Sequence, residues 1–166
     1  MSPSSDWTLT PEQRALLIKS ALEAKTGSYS PYSKFPVGAA LLTPDGRIVK
    51  GANIENASYG GTICAERTAI VKAASEGIRS FIGVAVVTDL TTPASPCGIC
   101  RQVLREFCAL ETPVLLVPAD YPQKGDAEKK PGYGEGGVRE TTLGELLPDS
   151  FGPEHLGKPL PKPGKQ

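Results

Sequence analysis

No apolar run in this chain approaches the roughly 20 residues that a membrane span needs, so no membrane-spanning helix is expected. An excess of charge is missing too. The 18 acidic and 18 basic residues give no positive field of the kind that neutralises phosphates along a polynucleotide, and a small neutral substrate suits this balance better than nucleic acid does. The polar start at residues 1–6 lacks the hydrophobic stretch of a secretory leader, which makes the cytoplasm the expected location. Histidine occurs once, as His155 in a Gly/Pro-rich C-terminal stretch where an exposed side chain is expected. Four cysteines are present, and in a reducing compartment they read as metal ligands with one to spare, not as a disulfide framework. With 39% hydrophobic residues, the chain can bury the core of one ordinary domain.

The informative stretches are Cys64-Ala65-Glu66, within GGTICAERTAI, and Pro96-Cys97-Gly98-Ile99-Cys100. Cys97 and Cys100 are three apart. If Pro96 opens a helix, as proline does in a first turn, both sulfurs lie on one face at its N-terminal end and can reach the same zinc ion. Cys64 precedes a run whose apolar positions, Ala69, Ile70, Ala73 and Ala74, fit a partly buried helix, so it also stands at a helix start. Two helix N-termini converging on one ion suit thiolates, because unpaired N–H groups and the helix dipole lower a cysteine pKa. Cys108 lies eight residues beyond Cys100, roughly 12 Å along a helix axis, and cannot close the same tetrahedron. It reads as a small core residue. Three protein ligands leave a fourth position for water, the arrangement of a catalytic zinc.

Glu66 then stands two residues after a ligand, where a carboxylate can lie beside the metal without binding it and can move protons. Three thiolates outweigh a dication, and Arg67 with the two helix N-termini are the available positive ends.

Cysteine-Ala-Glu followed by Pro-Cys-x-x-Cys resembles the zinc nucleoside and nucleotide deaminases, in the variant with three cysteines. The runs SPYSKFPVGAA, NIENASY, CAERTAI, SPCGICRQVLREF and ELLPDSFGPEHL resemble the homotetrameric cytidine deaminases over nearly the whole chain. The resemblance implies one Zn²⁺ per subunit on Cys64, Cys97 and Cys100, with Glu66 taking the proton of the activated water, protonating N3 of the base and helping the amine leave. It implies hydrolysis of cytidine and 2′-deoxycytidine to the uridines, with release of ammonia, in pyrimidine salvage. Asn53 and Glu55 would bind the ribose 3′-hydroxyl, and Phe35 would pack near base and sugar, although an ordinary core aromatic is the plainer alternative. Backbone groups at Ala65 and residues 95–97 would orient the pyrimidine. Tyr59 and Phe151 match positions that reach a neighbouring subunit's pocket in a homotetramer with shared active sites. Deaminases of dCMP or of blasticidin-type drugs share the motifs, and a non-catalytic zinc interaction module would need a closed four-ligand site.

The remaining pattern is α/β. Thr10, Pro11 and Gln13 form a capping-box helix start, with apolar spacing to about Lys25 and a stop at Gly27. Strand-like runs at 37–43 and 47–53 flank a Pro44-Asp45-Gly46 turn. Further apolar runs at 81–88 and 114–117 follow the helices from Cys64 and from Cys97 to about Cys108. The alternation implies a layered domain. The resemblance makes it a three-layer cytidine deaminase-like fold with a central mixed five-stranded sheet, the fifth strand near 138–142 and a short helix at 143–147. The expected domain is 1–156, with a polar, flexible insertion loop at about 119–137 and a disordered Pro/Lys-rich tail at 157–166.

Overall fold

The computed structural model of the chain describes residues 7–125 and 130–159. The start of the chain at 1–6, the middle of the insertion and all but the first residues of the proposed tail lie outside the described residues. Five strands, β1 (Gly38–Leu42), β2 (Ile48–Ala52), β3 (Gly83–Val87), β4 (Pro113–Val117) and β5 (Arg139–Thr142), form one sheet in the order β2-β1-β3-β4-β5. Only β3 and β4 run parallel, and the other neighbours are antiparallel, so the sheet is mixed.

Alternate residues of each central strand enter different cores. Ala39, Leu41, Val84, Val86, Val114 and Leu116 face α2 (Ala65–Ser75), α3 (Gly98–Phe107) and α4 (Leu143–Leu146). Ala40, Leu42, Ala85, Val87, Leu115 and Val117 face α1 (Pro11–Lys25), which contributes Leu17, Ile18 and Ala21. Covering both faces explains why these strands read as unbroken apolar runs, and the result is the expected three-layer α/β arrangement.

The helix starts are locally encoded. At α1, Thr10 accepts from the Gln13 N–H while Gln13 Oε1 accepts from the Thr10 N–H, completing the capping box. The start of α3 differs from expectation: Cys97, extended at φ −64° and ψ 164°, is the N-cap, so Pro96 lies before the helix and not in its first turn. Arg101 Nε fixes this entry by donating to the Pro96 carbonyl oxygen at 2.7 Å. Cys64 is likewise the N-cap of α2. Neither cysteine caps its helix with its side chain, which leaves both sulfurs free for another partner.

The segment at 119–137 meets the body at its described ends. Tyr121 packs on the α1 side of the core, Gln123 Nε2 donates to the Thr91 carbonyl oxygen at 2.8 Å, and Arg14 Nη2 donates to the Glu135 carbonyl oxygen at 3.1 Å. Cys108 is fully buried in the α2/α3 core, and its burial pushes the thiol pKa up to about 12.

The contact that seats α2 on the sheet is at Gly51 of β2, where an added Cβ would come within 2.9 Å of Ala69 Cα and meet Ala65 O and Ala69 N more closely still. Gly51→Ala must therefore push α2, and Cys64 with it, away from the sheet. We expect a cost of about 2–3 kcal/mol, read as a fall in Tm of roughly 5–10 °C with weaker zinc retention. An unchanged Tm by calorimetry would show that α2 is not held by this contact.

Candidate active site

The fold brings the two cysteine stretches together by placing the starts of α2 and α3 side by side. Cys64 Sγ and Cys97 Sγ are 4.0 Å apart, and the sulfurs of Cys64, Cys97 and Cys100 all lie within 4.8 Å of one another. A tetrahedral zinc with bonds of ~2.3 Å spaces its sulfurs at roughly 3.8 Å, so these three residues fit the metal. Among the described residues no fourth His, Cys, Asp or Glu joins the group. Glu66 Oε2 lies 3.6 Å from Cys100 Sγ, yet Glu66 is not a member of the cluster.

The charges around the sulfurs are unequal. A hydrogen bond from Cys100 lowers the Cys64 thiol pKa to about 5, and Arg67, whose Nη2 donates to Cys64 Sγ at 3.5 Å, adds to the effect against partial burial. Cys100 moves upward because it supplies that hydrogen bond and is itself buried. Glu66 is 4% exposed, and burial raises its carboxyl pKa, with the Cys64 thiolate acting in the same direction. A carboxyl raised in this way is suited to carrying a proton.

A cavity of about 470 Å³ opens over the cluster. Cys64, Ala65, Glu66 and Cys97 line it together with Ala94, Ser95, Phe35, Asn53 and Glu55. Phe35 is half-buried and lies on the cavity wall, not in either core cluster. Asn53 organises that wall: Oδ1 accepts from Ser28 Oγ at 2.5 Å and from the Val37 N–H at 2.8 Å, and Nδ2 donates to the Phe35 carbonyl oxygen at 2.8 Å. One Nδ2 hydrogen has no part in these three bonds. Glu55 Oε2 accepts from the Tyr32 and Ser33 N–H groups at 2.9 and 3.2 Å, while Oε1 has only a long contact of 3.4 Å with the Ser33 N–H. Hydrogen bonding to Ser33, outweighing some desolvation and joined by the Tyr32 N–H, holds the Glu55 carboxyl below its ordinary pKa.

Two expected residues stand apart. Tyr59 is 74% exposed and lines a neighbouring cavity of about 310 Å³ with Tyr32, Ser33, Glu55 and Thr62. Phe151, 64% exposed, lines neither cavity. Sequence reasoning missed Ser33, Thr62, Val86 and Thr88, which also line the main cavity. A signal existed for the last two. They lie at the carboxyl end of β3, the strand with a parallel neighbour, where open α/β sheets bind ligands.

Three sulfurs close enough to share one metal, with a buried carboxyl of raised pKa beside them, suit a metal-dependent hydrolytic centre. The sequence model of the cytidine and deoxycytidylate deaminase zinc-binding region matches residues 11–116, and the chain belongs to that family of zinc-dependent deaminases. Its similarity to individual members is extensive. It is 49% identical to the cytidine deaminase of Halalkalibacterium halodurans over 143 residues, covering 86% of this chain and 97% of that one. It is 40% identical to the cytidine deaminase of Mycobacterium tuberculosis, covering 93% and 96%. Among solved structures, cytidine deaminase from Burkholderia pseudomallei superposes with a TM-score of 0.71 at 41% identity, covering 86% of this chain and all of that one. Among the described residues, no helix is long and apolar enough to cross a membrane.

Proposed function

We propose that the chain hydrolyses cytidine and 2′-deoxycytidine to uridine and 2′-deoxyuridine with release of ammonia. The observation that carries this reading is the cavity itself, which is lined by Cys64 and Cys97 of the three-sulfur cluster and by Glu66, together with Asn53 and Glu55. Cys64, Cys97 and Cys100 would hold a zinc ion, which would supply Lewis acidity and lower the pKa of water. Glu66, walled from solvent, takes the proton of the attacking water, delivers one to N3 of the pyrimidine and then assists departure of the C4 amine as ammonia. Arg67 offsets the negative charge of the cysteines. Phe35 packs against the base and sugar, and backbone groups at Ala65 and Ser95 face the pyrimidine edge.

A ribose 3′-hydroxyl both donates and accepts, and the cavity lining offers one group of each kind: the second hydrogen of Asn53 Nδ2 and the under-used Glu55 Oε1. Among the described residues no Lys or Arg lines the cavity, and the Glu55 carboxylate does, so a 5′-phosphate finds no positive partner there. A nucleoside is favoured over dCMP on that ground. Turnover followed by ultraviolet absorbance, with cytidine, deoxycytidine, dCMP and blasticidin compared with and without a zinc chelator, tests the reading. Faster turnover of dCMP than of cytidine would overturn it.

Glu55→Gln is expected to keep zinc and fold while kcat/KM for cytidine falls by about 10- to 100-fold, the worth of a hydrogen bond to a charged group, mostly through KM. An unchanged KM would take Glu55 out of sugar recognition. Assembly belongs to the same reading: four copies with shared sites, in which Phe151 and Tyr59, exposed on their own chain, enter a neighbour's cavity. A cytoplasmic role in pyrimidine salvage follows from such an activity. Light scattering that reported an active monomer would remove the shared site.

A further inference from the structure

Arg105, five residues after Cys100 on α3, is the largest fully buried side chain among the described residues, with no exposed surface. A buried guanidinium is costly unless its donors and charge are met; Arg105 leaves Nη1 without a hydrogen bond, and the groups that meet its Nε and Nη2 lie in residues 150–154. Its Nε donates to Ser150 Oγ at 3.3 Å, and its Nη2 donates to Glu154 Oε1 in an ion pair. Gly152 lies against the guanidinium, so that an added Cβ would come within 2.6 Å of both Nη1 and Nη2. The Gly152 backbone is extended, at φ −147° and ψ −175°, which any residue adopts, so the demand for glycine comes from the close approach of Arg105 and not from backbone conformation. Desolvation pushes the Glu154 carboxyl up, but a backbone hydrogen bond and Arg105 outweigh it and hold the pKa below the ordinary value.

Between these anchors sits Phe151. Its carbonyl oxygen accepts from Gln102 Nε2, also on α3, at 3.3 Å, while its ring remains outside its own chain's cavity. Residues 150, 152 and 154 are thus drawn inward to α3, and the aromatic side chain at 151 is left facing outward. The same helix carries Cys97 at its N-cap and Cys100 in its first turn. We propose that Arg105 is a positioning residue for the reaction: by gripping Ser150, Gly152 and Glu154 it fixes the outward pose of Phe151 from which the ring enters a second copy's cavity. This rests on the shared-site reading above. A residue that only stapled the C-terminal segment would affect stability and leave KM alone.

The test compares Phe151→Ala, Glu154→Gln and Gly152→Ala in the full-length assembled enzyme, measuring kcat, KM, zinc content and Tm. Glu154→Gln preserves volume and removes the charge, and Gly152→Ala keeps both charged residues but forces the segment away from the guanidinium. The three differ enough that misfolding of one leaves the others informative. Each is expected to raise KM for cytidine about tenfold, the scale of one lost aromatic stack on a base, with kcat and zinc content unchanged. Combined with Phe151→Ala, neither clamp variant should raise KM further, because both act through that ring. Glu154→Asp, which keeps the charge, should recover part of the loss. If Phe151→Ala raises KM while Glu154→Gln and Gly152→Ala do not, or if the effects add in the double variants, the positioning role is overturned and the shared site stands. If Phe151→Ala leaves KM unchanged, the shared site fails and this inference fails with it.

Discussion

Glu66→Gln is expected to bind zinc as the parent chain does, to keep its Tm within about a degree or two, and to lose ~10²- to 10⁴-fold in kcat, the usual contribution of a general acid-base group. The substitution is nearly isosteric. Glu66 is buried at the start of α2, its carboxyl pKa is raised by that burial, and its Oε2 lies 3.6 Å from Cys100 Sγ outside the ligand cluster. An amide in its place fills the same space and can still accept a hydrogen bond, but it cannot carry a proton to N3 and on to the leaving amine. Because the three sulfurs are untouched, metal content by mass spectrometry should remain one per chain. KM should change little, since Glu66 acts chiefly in the transition state. A zinc-replete Glu66→Gln protein with near-parental kcat would remove Glu66 from the chemistry.

The second large effect lies with the ligands. Cys97→Ala should lower zinc affinity by more than the 10- to 100-fold that outer-shell changes cost, and activity should fall to background unless zinc is added in large excess. The geometry makes each sulfur indispensable. Cys64 and Cys97 are the N-caps of two helices meeting at 4.0 Å, and Cys100 is the single buried member, so no described His, Cys, Asp or Glu can take a lost place. Cys64→Ala and Cys100→Ala should behave alike. Cys108→Ala is the control: its sulfur is packed among apolar side chains of the core, and its removal should cost roughly 1 kcal/mol of stability with zinc and turnover intact. Competition with a chromogenic chelator separates the two classes directly. Full zinc occupancy in Cys97→Ala would disprove the three-sulfur site, and zinc loss in Cys108→Ala would do so equally.

Some of this was decided by neighbouring residues and is therefore legible in the sequence. The capping box at Thr10 and Gln13, the three-residue spacing of Cys97 and Cys100, and the runs that became β1 to β4 depend on contacts a few residues long or on burial of both strand faces. Cys108 could be set aside as a ligand from helix rise alone. The fifth strand was different. Arg139-Glu140-Thr141-Thr142 carries no apolar run, its first two residues are exposed, and it exists because β4 offers a free edge for antiparallel pairing; only the family resemblance anticipated it.

Tertiary structure alone decided the rest, because it joins residues distant along the chain. The strand order sets α2 beside α3 and so brings Cys64 to Cys97 across 33 positions. Asn53 reads as a polar strand end in sequence, yet three hydrogen bonds to Ser28, Phe35 and Val37 make it the organiser of the cavity wall, and no local pattern records those partners. Pro96 looked like a first-turn residue because proline favours that position, but the extended backbone of Cys97 and the bond from Arg101 move the helix start past it. Arg105 is the sharpest case: charge alone would place it on the surface, and it is buried because the C-terminal segment folds back to supply Glu154 and a glycine-sized space. The sequence by itself determined which residues could hold zinc and move a proton. The order of the strands and the return of the C-terminal segment determined which of them meet, because those contacts depend on how the whole chain packs and not on any stretch of it.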